Sequence, residues 1–336
     1  MKLIFFLFFS PFVFSCNSTQ KAIGPKKTNV DYANTITAQD LKKHLYIYAG
    51  DEMEGRMTGT KGQHSAAEYI RDFYKSEGIA SPPGTNDHFQ NIPASFFQGR
   101  RDSQPSENVV AFIKGSEKPD EIVIISAHLD HIGTDKEGNV FNGADDDGSG
   151  TVSILEIAQA FQQAVKDGHP PKRSILFLHV TGEEIGLYGS RYYTENPLFP
   201  LANTVCDLNI DMIGRIDPDK KDNPNYLYLI GSNKLSQELQ DVSTAMNNKY
   251  TKLDLDYKYD DPSDPNRFYY RSDHYNFAKN NVPIIFYFNG VHEDYHKMTD
   301  TPDKIEYDLM AKRAQLIFYT AWEIANREKK ITADKL

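Results

Sequence analysis

One junction in the sequence constrains the fold more than any other feature: an apolar run that ends in a histidine and an aspartate. Residues 124–127 have the composition of a buried strand, and His128 and Asp130 follow at once. In open α/β sheets, sites form in the crevice beyond the carboxyl ends of the strands. Imidazole and carboxylate groups are also common ligands of divalent metals. The junction therefore predicts a metal site at the edge of an α/β sheet.

Apolar runs typical of strands alternate along the chain with runs of helical period. This alternation predicts an α/β fold, in which a central mixed, largely parallel β-sheet is sandwiched between α-helices. Residues 80–105 show no clear hydrophobic period, which predicts an irregular segment on the surface. The composition of residues 250–271 predicts an ordered loop at the rim of a site. The predicted strands are residues 121–127, 174–180, 207–212, 226–230 and 283–288. The predicted helices are residues 35–50, 63–77, 151–165, 187–194, 234–248 and 307–329.

Five clusters of acidic or histidine residues accompany the apolar runs. Taken singly, each has an ordinary structural explanation; Asp146, for example, would also serve as the cap of the following helix. Taken together, they are poorly explained by chance and favour a shared site. The clusters are His128 with Asp130, Asp146, Glu183 with Glu184, Asp211, and Tyr295 with His296.

The donor atoms of these clusters suit two metal ions rather than one. His128 and Asp211 would hold one ion, while Glu184 and His296 would hold the other. The two carboxylate oxygens of Asp146 would bridge the ions at a separation of roughly 3.5–4 Å. The sequence therefore predicts a centre that binds two metal ions per chain.

Two further carboxylates have predicted roles beside the ions. Asp130 stands two residues after His128, where it would accept the second ring N–H and fix the tautomer of the imidazole. Glu183 adjoins a predicted ligand and would point away from it, so that it could take the proton from the attacking water. The chain would then combine metal binding with general base catalysis.

The motifs that carry these residues resemble those of a known family. HLD, GADDDGSG, TGEE, NIDMIG and YH occur in this order, and together they are similar to the motifs of the co-catalytic dizinc aminopeptidases. That family of zinc-dependent exopeptidases also includes glutamate carboxypeptidases and glutaminyl cyclases. The resemblance covers about residues 36–325. It implies an α/β sandwich around a mixed sheet, two Zn²⁺ ions per chain, and hydrolysis of a peptide bond at a chain terminus.

Carried over by motif, the resemblance also implies a role for each site residue. Asp146 corresponds to the bridging ligand because it lies two residues before the glycine of its motif. Glu183 corresponds to the general base, and Asp130 to the residue that orients the first histidine. Tyr295 corresponds to a tyrosine that stabilises the oxyanion in some relatives, with an aromatic residue at the rim of the site as the alternative. The implied metal ligands are His128, Asp146, Glu184, Asp211 and His296.

The predicted function is that of an aminopeptidase acting on peptides with a free N-terminus. A carboxypeptidase of acidic or γ-glutamyl peptides is one alternative, and it would require a basic pocket that the sequence does not identify. A glutaminyl cyclase-like enzyme would, in this family, use one zinc ion and lack the complete two-metal set. A non-catalytic binding ectodomain typically loses ligands or the base, whereas this sequence retains Glu183 and every predicted ligand.

The overall charge narrows the class of partner. The formal net charge is −10, and the sequence has no long basic run, which argues against a nucleic-acid partner. The acidity is compatible with a role in solubility and with the carboxylates of the predicted site.

The first residues predict export and a lipid anchor. Residues 1–15 combine Lys2 with an apolar stretch of signal-peptide length that is too short for a comfortable membrane span. The stretch ends in a lipobox-like VFSC, so Cys16 would carry the lipid; a cleavable signal with a chance cysteine is the alternative. Residues 16–35 would form the lipidated cysteine and tether, and residues 36–330 a single dizinc peptidase domain. We therefore expect a lipoprotein of the bacterial cell envelope that faces the periplasm or the cell exterior and contacts the membrane only through its lipid.

Overall fold

A computed structural model describes residues 1–4, 27–97 and 104–335 of the chain. Nearly all of the predicted signal peptide, and Cys16 with it, lies outside the described residues. The lipid anchor and the tether before residue 27 therefore stay predictions. None of the helices in the described ranges is long and apolar enough to cross a membrane.

A mixed β-sheet of eight strands, counted over the described residues, forms the centre of the molecule. In chain order the strands are β1 (Phe89–Ile92), β2 (Ser106–Ile113), β3 (Lys118–His128), β4 (Arg173–Val180), β5 (Thr204–Ile210), β6 (Tyr226–Ile230), β7 (Asp254–Asp256) and β8 (Ile284–Phe288). Their order across the sheet is β1-β2-β4-β3-β5-β8-β6-β7. The middle strands β4, β3, β5 and β8 are parallel, while β2 and β6 pair antiparallel with β4 and β8. The predicted α/β fold with a mixed, largely parallel sheet is confirmed.

Helices cover both faces of this sheet. In chain order the α-helices of the described ranges are α1 (Asn29–Ala33), α2 (Ala38–Tyr48), α3 (Lys61–Glu77), α4 (Gly150–Lys166), α5 (Tyr188–Glu195), α6 (Gln237–Met246), α7 (His274–Ala278) and α8 (Tyr307–Asn326). The long helices α4 and α8 contribute to the larger core on one face. Residues of α5 and α7 pack into a smaller core on the other face.

Strand β3 shows how the sheet is buried on both sides. Val123 and Ile125 lie in the larger core with α4 and α8. Ile122 and Ile124 lie in the smaller core with α5 and α7. Successive side chains of a strand point to opposite faces, so a strand that is covered on both faces needs apolar residues throughout. This requirement explains the apolar run that precedes His128.

The five predicted strands and six predicted helices are all present, with ends that shift by a few residues. The sequence does not predict β1, which lies within residues 80–105, or β2, which follows that segment. It does not predict β7 either, which lies within residues 250–271. Strands β1 and β7 have four and three residues, so they are too short to show a period.

Helix α1 lies within residues 16–35, the segment predicted as a tether. Its Tyr32 is buried, and the ring stacks on Trp322 of α8 with ring centroids 5.7 Å apart. The packed part of the chain therefore includes α1, because burial of this aromatic ring fixes the helix to the domain.

Candidate metal centre

The parallel strands place the predicted site residues at one edge of the sheet. His128 is the last residue of β3, and Asp211 directly follows β5. Glu183 and Glu184 follow β4 after a two-residue turn, and His296 lies in the loop after β8. Because these strands run in the same direction, their carboxyl ends bring the polar residues together.

His128 faces two carboxylates, and together these side chains form what we call the first donor group. His128 Nε2 lies 3.2 Å from Asp146 Oδ1 and 3.7 Å from Asp211 Oδ1. His128 Nδ1 donates to the backbone carbonyl of Asp130 at 3.1 Å. With Nδ1 at a carbonyl, Nε2 faces the carboxylates, which is the orientation that a metal ligand requires.

Asp146 also belongs to a second donor group, formed with Glu184 and His296. Asp146 Oδ2 lies 2.9 Å from His296 Nε2, and the same nitrogen lies 3.1 Å from Glu184 Oε2. Each oxygen of Asp146 thus faces a different donor group, as a bridging ligand would. His296 has a φ of +55°, a left-handed conformation that non-glycine residues seldom adopt and that often marks functional sites.

The centre carries more negative charge than its described residues neutralise. Burial lowers the pKa of His128, but the nearby Glu183, Asp146 and Asp211 carboxylates more than offset this and raise the pKa well above 6.5. Within the described ranges, the buried Asp146 Oδ2 and Glu184 Oε1 have no hydrogen-bond donor. Buried anionic oxygens are costly unless a cation binds them. The residues present therefore fit divalent metal ions.

The three consecutive aspartates have three different roles. Asp145 Oδ1 accepts a backbone N–H at 2.7 Å. Asp147 lies close enough to His128 to be a ligand, but it accepts the backbone N–H groups of His128 and Met212 at 3.2 and 3.1 Å. Of the three, Asp146 directs both oxygens at side chains of the centre. The run therefore supplies one carboxylate that faces both donor groups and two that fix the surrounding backbone.

Asp130 is placed differently from the prediction. Its Oδ1 lies 3.8 Å from His128 Nδ1, which bonds instead to the backbone carbonyl of Asp130. The Asp130 carboxylate accepts the backbone N–H of Glu183 at 3.1 Å and the hydroxyl of Thr58 at 2.8 Å. The backbone of Asp130 therefore orients the imidazole, and its side chain positions the loop that carries Glu183.

Glu183 lies beside a pocket with an empty volume of about 360 Å³. The pocket is also lined by Asp146 and Asp211, so it opens onto the donor groups. Burial raises the pKa of Glu183 well above 4.5, and the charges of Glu184 and Asp211 add to this effect. The remaining lining residues are Met212, Phe268, Arg271, Phe286, Phe288, Val291 and Tyr295.

Tyr295 lies at the junction of the pocket and the second donor group. Its ring stacks on His296 with ring centroids 3.9 Å apart and an interplanar angle of 22°. Burial and the carboxylates of the centre raise the pKa of Tyr295 above 10. The hydroxyl therefore stays protonated near neutral pH and can donate a hydrogen bond.

Three residues near the centre are not among the predicted catalytic residues and metal ligands. His131 is buried, with Nδ1 2.8 Å from Glu184 Oε1, and the sequence signal for it is its place in the same turn as the first predicted ligand. The sequence alone favours a solvated loop residue at His292, but the ring is buried, with Nε2 3.2 Å from Asp145 Oδ2. Arg215 donates to a neighbouring aspartate at 2.9 Å. The contacts of His292 and Arg215 join loops that are distant in sequence, so no local sequence pattern predicts them.

The chain is similar in sequence to curated peptidases. A probable zinc metalloprotease of Pyrenophora tritici-repentis is 27% identical over 316 residues, which cover 80% of this chain and 62% of that protein. A probable leucine aminopeptidase 2 of Aspergillus oryzae is 32% identical over 199 residues, which cover 57% of this chain and 35% of that protein. The chain thus spans less than two thirds of the length of these curated relatives.

Similarity to solved structures supports the fold. The aminopeptidase from Aneurinibacillus sp. strain AM-1 matches with a TM-score of 0.66 at 15% identity, covering 92% of this chain and 98% of that chain. Residues 108–321 match the model of Peptidase family M28, a range that contains every predicted metal ligand. Because this match spans more than half of the sequence, the chain belongs to Peptidase family M28.

Proposed function

We propose that this protein is a metal-dependent aminopeptidase, which removes N-terminal residues from peptides with two zinc ions and Glu183 as the general base. The observation that carries the proposal is the position of Glu183 in a pocket that also exposes Asp146 and Asp211. Membership of the peptidase family and similarity to a protein named leucine aminopeptidase support the same reaction class.

Different residues of the centre would perform different steps of the hydrolysis. Bound zinc ions would polarise the scissile carbonyl and lower the pKa of the attacking water. Glu183 takes the proton of that water as its oxygen bonds to the carbonyl carbon, and returns the proton to the leaving nitrogen as the C–N bond breaks. Burial raises its pKa, which makes the carboxylate a stronger base for the first transfer. The Tyr295 hydroxyl is available to donate to the developing oxyanion.

The pocket suggests which residue is released. Phe268, Phe286 and Phe288 give it an aromatic wall, which favours an apolar side chain. The two zinc ions would offset the charge of the ligand carboxylates, so a free N-terminus would bind as the neutral amine, a nitrogen donor that zinc accepts. We therefore propose peptides with a free N-terminal apolar residue as substrates.

The test compares leucine anilide with its N-acetylated form, using the full chain purified in detergent and loaded with zinc. We expect hydrolysis of the free amine alone, loss of activity on chelation, and recovery when zinc returns. Zinc bound per chain is measured in parallel. Cleavage of the acetylated compound would contradict the aminopeptidase assignment, and a fully loaded but inactive protein would contradict the proposed reaction.

Arg271 favours a second candidate function, a carboxypeptidase of acidic peptides. It lines the same pocket and packs over the ring of Phe268 at 5.0 Å from the ring centroid. Among the described side chains no carboxylate forms an ion pair with it, so it is available to a substrate carboxylate. Hydrolysis of an N-acylated peptide that ends in glutamate, with loss of that activity in Arg271→Met, would support this function. Cleavage of leucine anilide alone would exclude it.

We also propose that Cys16 is lipidated and that the protein is anchored in the bacterial cell envelope. The support is the signal-like composition of residues 1–15 and the lipobox-like sequence that ends at Cys16. In a bacterium supplied with labelled palmitate, the wild-type chain should take up label and sediment with membranes. Cys16→Ser should lose both properties, and a wild-type chain without label would contradict the anchor.

A further inference from the structure

Besides His128 and His296, a third histidine lies at the centre. His131 contacts the second donor group, although the sequence assigns it no role. Its side chain is fully buried, and Nδ1 lies 2.8 Å from Glu184 Oε1 and 3.9 Å from Asp146 Oδ2. Its ring meets that of His296 edge-on, with ring centroids 5.8 Å apart. These donor atoms of His131, Asp146 and Glu184 lie within 4.8 Å of one another.

The contact between His131 and Glu184 has the length of a hydrogen bond but not its direction. Within the described ranges, neither ring nitrogen of His131 has a hydrogen-bond partner, and neither has Glu184 Oε1. Asp146 Oδ2 shows the same combination, since it lacks a hydrogen bond although His296 Nε2 lies 2.9 Å away. Buried donors and acceptors are otherwise almost always paired. Lone pairs that converge without hydrogen bonding are the arrangement expected around a shared cation.

The backbone holds His131 in this position. Its N–H donates to the carbonyl of Arg56 at 3.2 Å. Gly143 lies so close to the imidazole that a Cβ at that position would collide with the ring. The glycine therefore makes room for a ring that is fixed against the second donor group, and no rearrangement is needed to bring Nδ1 to a metal ion.

We propose that Nδ1 of His131 is an additional ligand of the metal ion held by the second donor group. The proposal rests on the two-metal centre of the proposed function. This ion would then have four protein ligands, namely Asp146, Glu184, His296 and His131. The ion of the first donor group would have three, from His128, Asp146 and Asp211. Four protein ligands are typical of closed zinc sites, and three leave a position open for substrate or water. The second donor group would therefore bind its zinc ion more tightly.

The first test counts ligands in the wild-type protein, without any variant. The full chain in detergent is stripped of metal, loaded with one equivalent of zinc, and measured by X-ray absorption spectroscopy. We expect two imidazoles on this ion, from His131 and His296. A single imidazole would overturn the proposal, because the ion would then lie either at the first donor group or at a second donor group that His131 does not complete.

The second test measures zinc affinity by competition with a chromophoric chelator. His131→Gln should weaken the tighter of the two zinc ions by at least about 10–100-fold, the loss seen when even an outer partner of a ligand is removed. His179→Gln is the matched control, because His179 is equally buried but its ring contacts Tyr74 of α3 rather than the donor groups. Unchanged affinity in His131→Gln would overturn the proposal while leaving the aminopeptidase intact. A wild-type chain that binds fewer than two zinc ions would instead overturn the proposed function.

Discussion

At the scale of the residue, Glu183 and Glu184 are adjacent in sequence but have opposite surroundings. Glu184 faces the imidazoles of His131 and His296 at 2.8 and 3.1 Å. Burial acts to raise its pKa, but these imidazoles more than offset burial, and the pKa of Glu184 is lowered. Burial dominates at Glu183, whose pKa is raised. When the environments of two carboxyl groups separate their pKa values, the lowered one suits a ligand and the raised one suits proton transfer.

This difference predicts distinct outcomes for the two amide substitutions. In Glu183→Gln we expect kcat to fall by about 10²–10⁴-fold, because the amide cannot carry the proton. Its zinc content should equal that of the wild type. In the matched variant Glu184→Gln we expect zinc binding itself to weaken. Steady-state kinetics with metal analysis separates the two effects, and a Glu183→Gln enzyme with wild-type kcat would remove Glu183 from the mechanism.

The sequence predicts the residues that carry the donor atoms of the centre better than it predicts the contacts that position them. Asp211 is recognisable because a charged residue follows an apolar strand directly. The role of Asp130 is not recognisable, because its carboxylate bonds to Thr58 and to the backbone of Glu183, 72 and 53 residues away. The only sequence signal for His131 is its place beside the first predicted ligand, and a histidine in a polar turn is ordinary until the fold buries it.

At the scale of the element, the central strands are predictable and the outer ones are not. Strand β2 begins with Ser106, Glu107 and Asn108, which continue the polar segment before them. In the fold Ser106 Oγ donates to Gln63 Oε1 at 2.8 Å, and Asn108 Nδ2 donates to Gln90 Oε1 at 2.9 Å. These partners lie 43 and 18 residues away. Polar residues can be buried when they are hydrogen-bonded, but distant partners leave no periodic trace in the sequence.

The turn at Asp51–Arg56 connects two loops of the centre through one buried side chain. Arg56 Nε donates to the carbonyl of Leu129, in the HLD motif, at 3.2 Å. The Nη atoms donate to the carbonyls of Asn142 and Gly143, just before the aspartate run, at 2.7 and 2.8 Å. One guanidinium group therefore fixes the loop that contains His128 against the loop that contains Asp146.

Removing this guanidinium should destabilise the protein. We expect Arg56→Met to lower the free energy of unfolding by about 3 kcal/mol or more, since it removes buried hydrogen bonds from a charged donor, each of which contributes about 1.5–3 kcal/mol. Arg267→Met, at an exposed arginine, is the control and should change stability by no more than about 0.5 kcal/mol. Urea denaturation of the zinc-loaded proteins gives both values. Equal effects in the two variants would show that Arg56 does not hold the loops.

At the scale of the whole molecule, packing of helices against the sheet buries histidines that take no part in the centre. His179 of β4 and His274 of α7 are fully buried, and burial lowers the pKa of each ring to about 3. The Tyr74 hydroxyl and His179 Nε2 are joined by a hydrogen bond of 2.6 Å, which the neutral ring can make. His274 Nε2 donates to the carbonyl of Tyr269 at 2.8 Å. Both rings are therefore neutral in the folded chain under conditions that protonate them in the unfolded chain.

These two rings predict that the fold loses stability in acid. Above a pH of about 6.5 both states leave the rings neutral, so the rings add no pH dependence. Below that pH the unfolded chain binds a proton at each ring that the folded chain cannot bind. The free energy of unfolding should then fall by about 1.4 kcal/mol per pH unit for each ring until the pH approaches 3.

Substitution of one of these histidines measures how much its ring contributes to the loss of stability in acid. In His179→Gln, which keeps a hydrogen-bond partner for Tyr74, the slope of stability against pH between about 6 and 4 should decrease by one ring's contribution. Tyr74→Phe should lower stability but keep the slope, because the imidazole stays buried. Both are measured by urea unfolding with a chelator present, so that release of metal does not contribute. If His179→Gln keeps the wild-type slope, the folded protein already protonates this ring, and burial between α3 and the sheet does not keep it neutral.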